Sequence, residues 1–187
     1  MEEKLGSRID VIMAGLGGMG VLSAGKILSL AALKKYRYVS WLPSYGVEKR
    51  GGLCECTVIF SNEEIASPLI DRTQSLIIFD GSQLKAFEPR ILQGGMILAE
   101  SSGMEDGGEE RDYKIIKIPG LEIAVSMGMG QVNNLILLGS YISITGVISP
   151  ELIEEELETK YKTRKEVLKR NQEAFRRGLE LGQTVDD

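Results

Sequence analysis

The sequence predicts an α/β fold in which helices cover both faces of a mostly parallel sheet. Six apolar runs of strand length occur along the chain, and segments of helical period lie between several of them. The runs are too uniformly apolar for a sheet with one wet face, which is typical of strands that are buried on both sides. The first run ends in a glycine cluster, and a helical pattern starts directly after it. These three observations together favour the α/β class.

The predicted elements follow in chain order. A helix should start at Val21 and continue to Ala32, where apolar residues recur at helical spacing, and a second helix at 83–92 should separate the fourth strand from the fifth. Strands are expected at 9–14, 39–42, 57–60, 76–79, 96–99 and 115–118.

Helices dominate the predicted structure after residue 119. A buried helix rich in small residues should be loosened around Gly128 and Gly130. Ser149 and Pro150 are typical of the N-cap and first position of a further helix. We therefore expect residues 1–187 to form a single domain with a C-terminal helical extension at about 149–182.

The last predicted helix, at about 163–181, has an apolar stripe with two unusual members, Asn171 and Gly178. Buried polar groups normally find hydrogen-bond partners, so Asn171 is expected to be a bonded core amide. Gly178 is expected to mark a close helix crossing.

Composition excludes several classes of function. The 187-residue chain contains no histidine, which removes the commonest general base, the imidazole metal ligand and Ser-His or Cys-His nucleophiles. A net charge of −5 offers no basic footprint for a phosphate backbone, so we expect no nucleic acid partner. No apolar run approaches the ~20 residues of a membrane span, and the charged amino terminus is too short for a signal peptide. We expect no membrane association and a cytoplasmic location.

The two cysteines, Cys54 and Cys56, should lie on one face of a strand because they are two residues apart. Disulfide geometry is poor at that spacing. With no histidine and no further cysteine, the chain alone cannot supply the usual four ligands of a structural zinc or iron–sulfur site, and we assign no metal ligands to it. Plain buried thiols are favoured, with a redox or shared-metal role at an interface as the alternative.

The glycine cluster fits the G-x-G-x-x-G pattern, and its strand, turn and helix are the opening unit of a Rossmann-like sheet. Glycines allow positive φ, and the N–H groups at a helix N-terminus attract anions. A dinucleotide site also needs an acid about 20 residues later, and 39–42 contains none, so NAD is a weak second reading. A turn required only for packing also stays open. The candidate residues are Gly15, Gly17, Gly18, Met19 and Gly20.

A phosphate-loop pattern overlaps this cluster and is rejected. Gly20 and Gly25-Lys26 have the G-x-x-x-x-G-K spacing, but Ile27 stands where Ser or Thr would hold magnesium. The sequence therefore does not support ATP chemistry.

The segment 43–52 is predicted to be a functional loop between the second and third strands. Its tyrosine, glutamate and arginine place a hydroxyl, a carboxylate and a guanidinium suited to bidentate anion contact within one short span. If the sheet is doubly wound, the loop leaves the second strand beside the glycine turn, so both would face one site. The alternative is a solvated connection with a weak surface ion pair. The candidate residues are Ser44, Tyr45, Gly46, Glu48, Arg50, Gly51 and Gly52.

The glycine cluster, GLGGMG with Ala24-Gly25, and the loop SYGVEKRGG occur in one order with a series of further short motifs: Thr57-Val58-Ile59 and Ser61, Ile65, Ser67-Pro68, Asn133-Asn134-Leu135 and Leu138-Gly139. Together these segments resemble the gamma subunit of 2-oxoacid:ferredoxin oxidoreductases, from about residue 9 to residue 181. The SYGVEKRGG form is most similar to the 2-oxoglutarate branch, while pyruvate, branched-chain and indolepyruvate relatives stay open. The family commonly has glutamine where Met19 stands, so a contact with coenzyme A at this turn would use backbone N–H groups.

The resemblance implies a heteromeric enzyme that oxidatively decarboxylates a 2-oxoacid with coenzyme A and passes electrons to ferredoxin. Alpha and beta subunits are the implied partners, with delta as a further candidate. Thiamine diphosphate, magnesium and iron–sulfur clusters belong mainly to those companions in the family. This chain would shape the site or the interface, bind no cofactor tightly alone and contribute no catalytic residue.

The sequence leaves two other functions open. One is a stand-alone nucleotide-dependent oxidoreductase that uses the glycine turn, and the other is a non-catalytic anion-binding module. Under the leading hypothesis the isolated chain should be inactive, and a homodimer could cover its exposed apolar face.

Overall fold

The structure, a computed structural model, describes residues 8–46, 51–104, 111–130 and 132–185. The predicted α/β class is confirmed. Within those ranges one six-stranded sheet has the order β2-β3-β1-β4-β5-β6. Each predicted apolar run overlaps one strand. The strands are β1 (Ile9–Leu16), β2 (Tyr38–Tyr45), β3 (Leu53–Ser61), β4 (Thr73–Ile78), β5 (Ile91–Glu100) and β6 (Lys114–Ile118).

The sheet is mostly parallel, with one exception that affects the site. β1 pairs in parallel with β4, β4 with β5, and β5 with β6. β3 runs antiparallel to both of its neighbours, β1 and β2. The chain therefore makes a β2–β3 hairpin, whereas a doubly wound sheet would have a crossover helix at that place. As a result β2 is an edge strand, and β3 separates it from β1.

Helices lie on both faces of the sheet, but in unequal amounts. The larger core cluster joins one face to α1, α3, α4, α5 and α6, while the smaller cluster joins the other face to α2. Side chains alternate between the clusters, so Met13 faces the first and Ile12 the second. The helices are α1 (Val21–Ala32), α2 (Leu84–Phe87), α3 (Gly120–Ser126), α4 (Asn133–Thr145), α5 (Pro150–Tyr161) and α6 (Lys165–Gln183).

The helix predicted at 83–92 is wrong in its extent. Only Leu84–Phe87 is α-helical, with a short 3-10 turn on each side, and Ile91 already belongs to β5. Pro89 has no N–H to donate and its ring crowds the preceding turn, which is unfavourable inside an α-helix.

The later helices confirm several sequence predictions. α3 and α4 are separate, and Gly128 between them has φ +67°. Ser149 precedes α5 with extended backbone, although its side chain makes no capping hydrogen bond within the described residues. No helix in this part of the chain combines the length and apolarity that a bilayer crossing requires.

The α4–α6 crossing explains both unusual members of the α6 stripe. An ideal Cβ built on Gly178 would lie 2.1 Å from the Ile136 carbonyl oxygen and 3.0 Å from the Cα of Gly139, so the two helices touch through their backbones. Asn171 is buried and its Nδ2 donates to the Val167 carbonyl at 2.6 Å. The expected close crossing and bonded core amide are both confirmed.

Candidate functional site

The glycine turn connects β1 to α1 at the carboxyl end of β1. Gly15 still belongs to the strand, and the Met19 N–H donates to the Leu16 carbonyl at 3.2 Å to close the turn. Gly18 has φ +102° and Gly20, the residue before α1, has φ +79°. Residues with side chains rarely adopt such angles, so the backbone itself requires glycine at these two positions.

The base of the β2–β3 hairpin is hydrogen-bonded to this turn. The Gly17 N–H donates to the Gly52 carbonyl at 2.8 Å, and the Gly51 N–H donates to the Gly17 carbonyl at 3.2 Å. The cause is the register of β3 on β1, in which Leu53 pairs with Leu16. Residues just before β3 must therefore lie beside residues just after β1. The two sequence-predicted segments do meet, through a hairpin and not through a doubly wound crossover.

Of the remaining predicted site residues, some lie at or next to the end of β2 and others lie outside the described residues. Ser44 and Tyr45 end β2, so the strand continues into the segment that was expected to be a loop. Ser44 and Gly46 are exposed. Glu48 and Arg50 lie outside the described residues, and their expected roles stay predictions.

Asn134 also contacts the turn, although it is not among the site residues predicted from the sequence. It lies in the first turn of α4, is 7% exposed, and its Nδ2 donates to the Gly20 carbonyl at 3.2 Å. An ideal Cβ on Gly20 would lie 2.6 Å from that nitrogen. The available signal is the pair of amides, Asn133 and Asn134, that opens a helix whose next four residues are all apolar.

Glu100 is a second such residue, a carboxylate buried at the end of β5 with 2% of its surface exposed. It accepts hydrogen bonds from the Ser102 N–H at 3.1 Å, the Ser102 Oγ at 3.0 Å and the Leu121 N–H at 2.8 Å. A buried charge needs such partners. They connect the end of β5 to the start of α3. The sequence signal is a single acid at the end of an apolar run.

The cysteines lie under α1, on one face of β3 as predicted, and both are free and buried. Burial raises the pKa of the Cys56 thiol to about 12, and burial also raises the pKa of Cys54. An ideal Cβ on Gly25 would lie 2.3 Å from the Cys56 Sγ. Gly25 is therefore needed for helix-on-strand packing, which agrees with rejecting the phosphate-loop pattern.

The chemistry that the turn offers is that of its backbone. No acidic residue lies in the first turn of α1, and no described side chain caps that helix. Backbone N–H groups at such a terminus favour an anion or an acceptor group. Across the described ranges, no three histidine, cysteine or carboxylate side chains are grouped so that they could hold a metal ion.

Comparisons with known proteins relate this geometry to a family. Residues 10–181 match the family model described as pyruvate ferredoxin/flavodoxin oxidoreductase. The ketoisovalerate oxidoreductase subunit VorA of Methanothermobacter marburgensis is 37% identical over 141 residues, 74% of this chain and 29% of that protein. VorA of Methanothermobacter thermautotrophicus is 33% identical, and the match covers 92% of this chain and 36% of that protein. The chain thus spans about a third of the length of these relatives.

Another relative has the same extent as this chain. The 2-oxoglutarate synthase subunit KorC of Methanothermobacter marburgensis is 30% identical, and the match covers 93% of this chain and 96% of that subunit.

Two solved structures share the fold. The gamma subunit of a keto/oxoacid ferredoxin oxidoreductase from Geobacter sulfurreducens has a TM-score of 0.79 at 23% identity, over 95% of this chain and 99% of that one. A 2-oxoglutarate:ferredoxin oxidoreductase from Magnetococcus marinus, with 2-oxoglutarate, coenzyme A and succinyl-CoA bound, has a TM-score of 0.85 at 24% identity, over 95% of this chain and 31% of that one. The resemblance found in the sequence is therefore confirmed at the level of the family: the chain belongs to the pyruvate ferredoxin/flavodoxin oxidoreductase family.

Proposed function

We propose that this chain is the gamma-type subunit of a heteromeric 2-oxoacid:ferredoxin oxidoreductase whose substrate is 2-oxoglutarate. The assembled enzyme would decarboxylate 2-oxoglutarate oxidatively, form succinyl-CoA with coenzyme A, and transfer the electrons to ferredoxin. The observation that carries the proposal is the end-to-end match to a 2-oxoglutarate synthase subunit, over 93% of this chain and 96% of the relative. In this proposal, residues 1–187 form one domain of the gamma type.

The residues of this chain would act by shape and by backbone contact. The two hydrogen bonds between Gly17 and the hairpin give the segment with Glu48 and Arg50 a fixed base. Leu53 at that base is 54% exposed, which supports contact with another chain there. A coenzyme A contact at the turn would use backbone N–H groups, because the Met19 thioether is only a weak acceptor.

The companion chains would carry the reactive groups. Thiamine diphosphate supplies the carbanion chemistry of decarboxylation when bound, and iron–sulfur clusters conduct the electrons. With two cysteines and no histidine in its sequence, this chain lacks the ligands for such a cluster. Alpha and beta subunits, and a delta subunit where one is present, are the proposed partners.

Co-expression with the companion subunits from the same genome tests the proposal. We expect a complex that contains this chain and reduces ferredoxin when both 2-oxoglutarate and coenzyme A are present. Pyruvate and 3-methyl-2-oxobutanoate should support slower reduction. A complex that is fully active without this chain would contradict the proposal, and so would turnover of a 2-oxoacid by this chain alone.

The hairpin is tested by a matched pair of variants in the assembled complex. Arg50→Ala should lower complex assembly or acyl-CoA formation, while Arg37→Ala, which removes an exposed arginine before β2, should leave both unchanged. Full activity of the assembled Arg50→Ala complex would remove Arg50 from the site.

Binding of nucleotides to the isolated chain separates the proposal from a stand-alone oxidoreductase. We expect no micromolar binding of NAD(H), NADP(H) or flavins, since micromolar affinity corresponds to roughly −8 kcal/mol and the acid expected after the second strand is absent. Micromolar binding of any of them would favour the alternative.

A further inference from the structure

A cavity of about 660 Å³ lies between the loop that connects α3 to α4 and the corner where α5 meets α6. Lys160, Arg164 and Arg170 line it, and none of its described lining residues is acidic. The buried amide side chain of Asn171 and the aromatic residue Tyr161 also line the cavity. None of the candidate residues of the glycine turn or hairpin belongs to it.

The positive charge at this corner contrasts with the rest of the chain. Residues 160–170 contain six lysines and arginines and one glutamate, in a protein whose net charge is −5. Across the described ranges, no carboxylate lies within ion-pair distance of the three basic lining residues or of Lys26 on α1. These cations have no acidic partner in the described structure.

Two observations indicate that the positive charges at this corner are electrostatically unfavourable. One is repulsion between neighbouring cations, and the other is the position of basic residues at a helix N-terminus. Partial burial lowers the pKa of Lys160, and the positive charges of Lys26 and Arg164 lower it further. Arg164 and Lys165 occupy the N-cap and first position of the 19-residue helix α6, where the dipole favours negative charge. An anion in the cavity would relieve both interactions at once.

The groups around the cavity indicate what kind of anion fits. Guanidinium groups form bidentate hydrogen bonds with phosphate, and a lysine ammonium adds a point charge. The volume exceeds that of a phosphate group, and Tyr161, Val132 and Val167 offer apolar surface beside the cations.

We propose that this cavity is a binding site for a phosphate-bearing small molecule, held by Lys160, Arg164 and Arg170. The proposal does not rest on the function proposed above, because it concerns binding by this chain alone. Ser23, whose Oγ accepts a hydrogen bond from the Lys160 Nζ, lies three residues after Gly20, so the site would be next to the glycine turn.

Calorimetric titration of the purified full chain with inorganic pyrophosphate, at fixed ionic strength, tests the proposal. We expect saturable binding in the sub-millimolar range. Arg164→Gln and Arg170→Gln should each weaken binding about tenfold, since a charge-assisted hydrogen bond is lost. Arg177→Gln removes the same charge from α6 outside the cavity and should leave the affinity within about twofold, because only a screened, long-range effect remains.

A second readout locates the ligand without a substitution. Pyrophosphate should slow the acylation of Lys160 by an amine-reactive reagent, but not that of Lys34, which is paired with Glu155 and Glu156. Absence of saturable binding, equal weakening by all three arginine variants, or unchanged Lys160 acylation would each overturn the proposal. Circular dichroism of each variant establishes that it is folded before its affinity is compared.

Discussion

The side-chain amide of Asn134 donates a hydrogen bond to the backbone carbonyl of Gly20 at 3.2 Å, although 114 positions separate the two residues. The contact holds the start of α4 against the start of α1. It also leaves no room for a side chain at position 20, where an ideal Cβ would lie 2.6 Å from the amide nitrogen. The shape of the glycine turn therefore depends on a helix from the other half of the chain.

Gly20→Ala should lower the free energy of unfolding more than Gly18→Ala does. Both positions have positive φ, which costs a residue with a side chain about 1–2 kcal/mol. Among the described residues, no atom lies within 4 Å of an ideal Cβ on Gly18, whereas Gly20 meets Asn134, which adds about 1–3 kcal/mol of overpacking. Urea unfolding of both variants measures the difference.

The double variant Gly20→Ala/Asn134→Ala isolates the steric part of that effect. Removing the amide should cancel most of the excess cost and leave the cost of the backbone angle, which a double-mutant cycle would report as coupling. Equal destabilisation by Gly18→Ala and Gly20→Ala would contradict the close contact between Asn134 and Gly20.

Gly178→Ala should destabilise the protein by about 1–3 kcal/mol or more, because the new methyl group would meet backbone that cannot move aside. Its ideal Cβ lies 2.1 Å from the Ile136 carbonyl oxygen. Helix propensity alone predicts the opposite sign, since alanine is favoured over glycine by up to about 1 kcal/mol. Thermal unfolding decides between the two effects.

The control for that variant is Gly130→Ala, whose Cβ would have one neighbour within 4 Å in the described part of the chain, the Val125 Cγ2 at 3.6 Å. It should change the melting temperature little. A stabilised Gly178→Ala protein would show that α4 and α6 are not in backbone contact.

Glu100→Gln should lower the free energy of unfolding by about 1–3 kcal/mol, although it keeps the size of the side chain. The carboxylate accepts bonds from the Ser102 and Leu121 N–H groups through different oxygens, and an amide replaces one of these acceptors with a donor. The backbone N–H of either Ser102 or Leu121 would then face the NH₂ group of the new amide, which is itself a donor. Glu64→Gln on an exposed loop is the matched change, and similar losses in both variants would rule out this explanation.

Thiol labelling of the native protein should be slow at neutral pH and should keep accelerating as the pH rises above 9. The thiolate is the reactive form, and burial raises the pKa of Cys56 to about 12, so its ionised fraction is still increasing where an ordinary thiol has levelled off. A chromogenic disulfide reagent measures the rate across pH. Unfolded protein should react quickly at both cysteines.

An Ala66→Cys variant supplies an exposed cysteine in the same chain for comparison. Its labelling rate should be half-maximal near an ordinary thiol pKa of about 8.5 and should level off above that pH. Native Cys54 and Cys56 that react as fast as this added thiol would contradict their burial.

The strands were predictable because burial on both faces leaves a direct mark on the sequence. Ile12 and Met13 are both fully buried although they point to opposite faces of β1, so the whole run must be apolar. The helix at 83–92 was predicted with the wrong length. Its apolar residues indicate a helical period but not where the α-helix ends, and in the structure it ends at Phe87, two residues before Pro89.

The candidate site was predictable only in part. The turn glycines follow from a local pattern, because positive φ is a property of single residues. Glu100 and Asn134 could not be found in the same way, since each acts through partners brought near by the sheet and by helix packing. Nothing in the sequence near Asn134 specifies Gly20 as its partner.

The sequence by itself determined the α/β class, the glycine turn, the two same-face cysteines and the close crossing at Gly178, because each depends on local periodicity or on a residue type that only one geometry requires. Only the tertiary structure decided that β2 and β3 form an antiparallel hairpin whose base is hydrogen-bonded to Gly17. The apolar pattern of a strand is the same for either direction of its neighbours, and strand direction is set by pairing over the whole sheet.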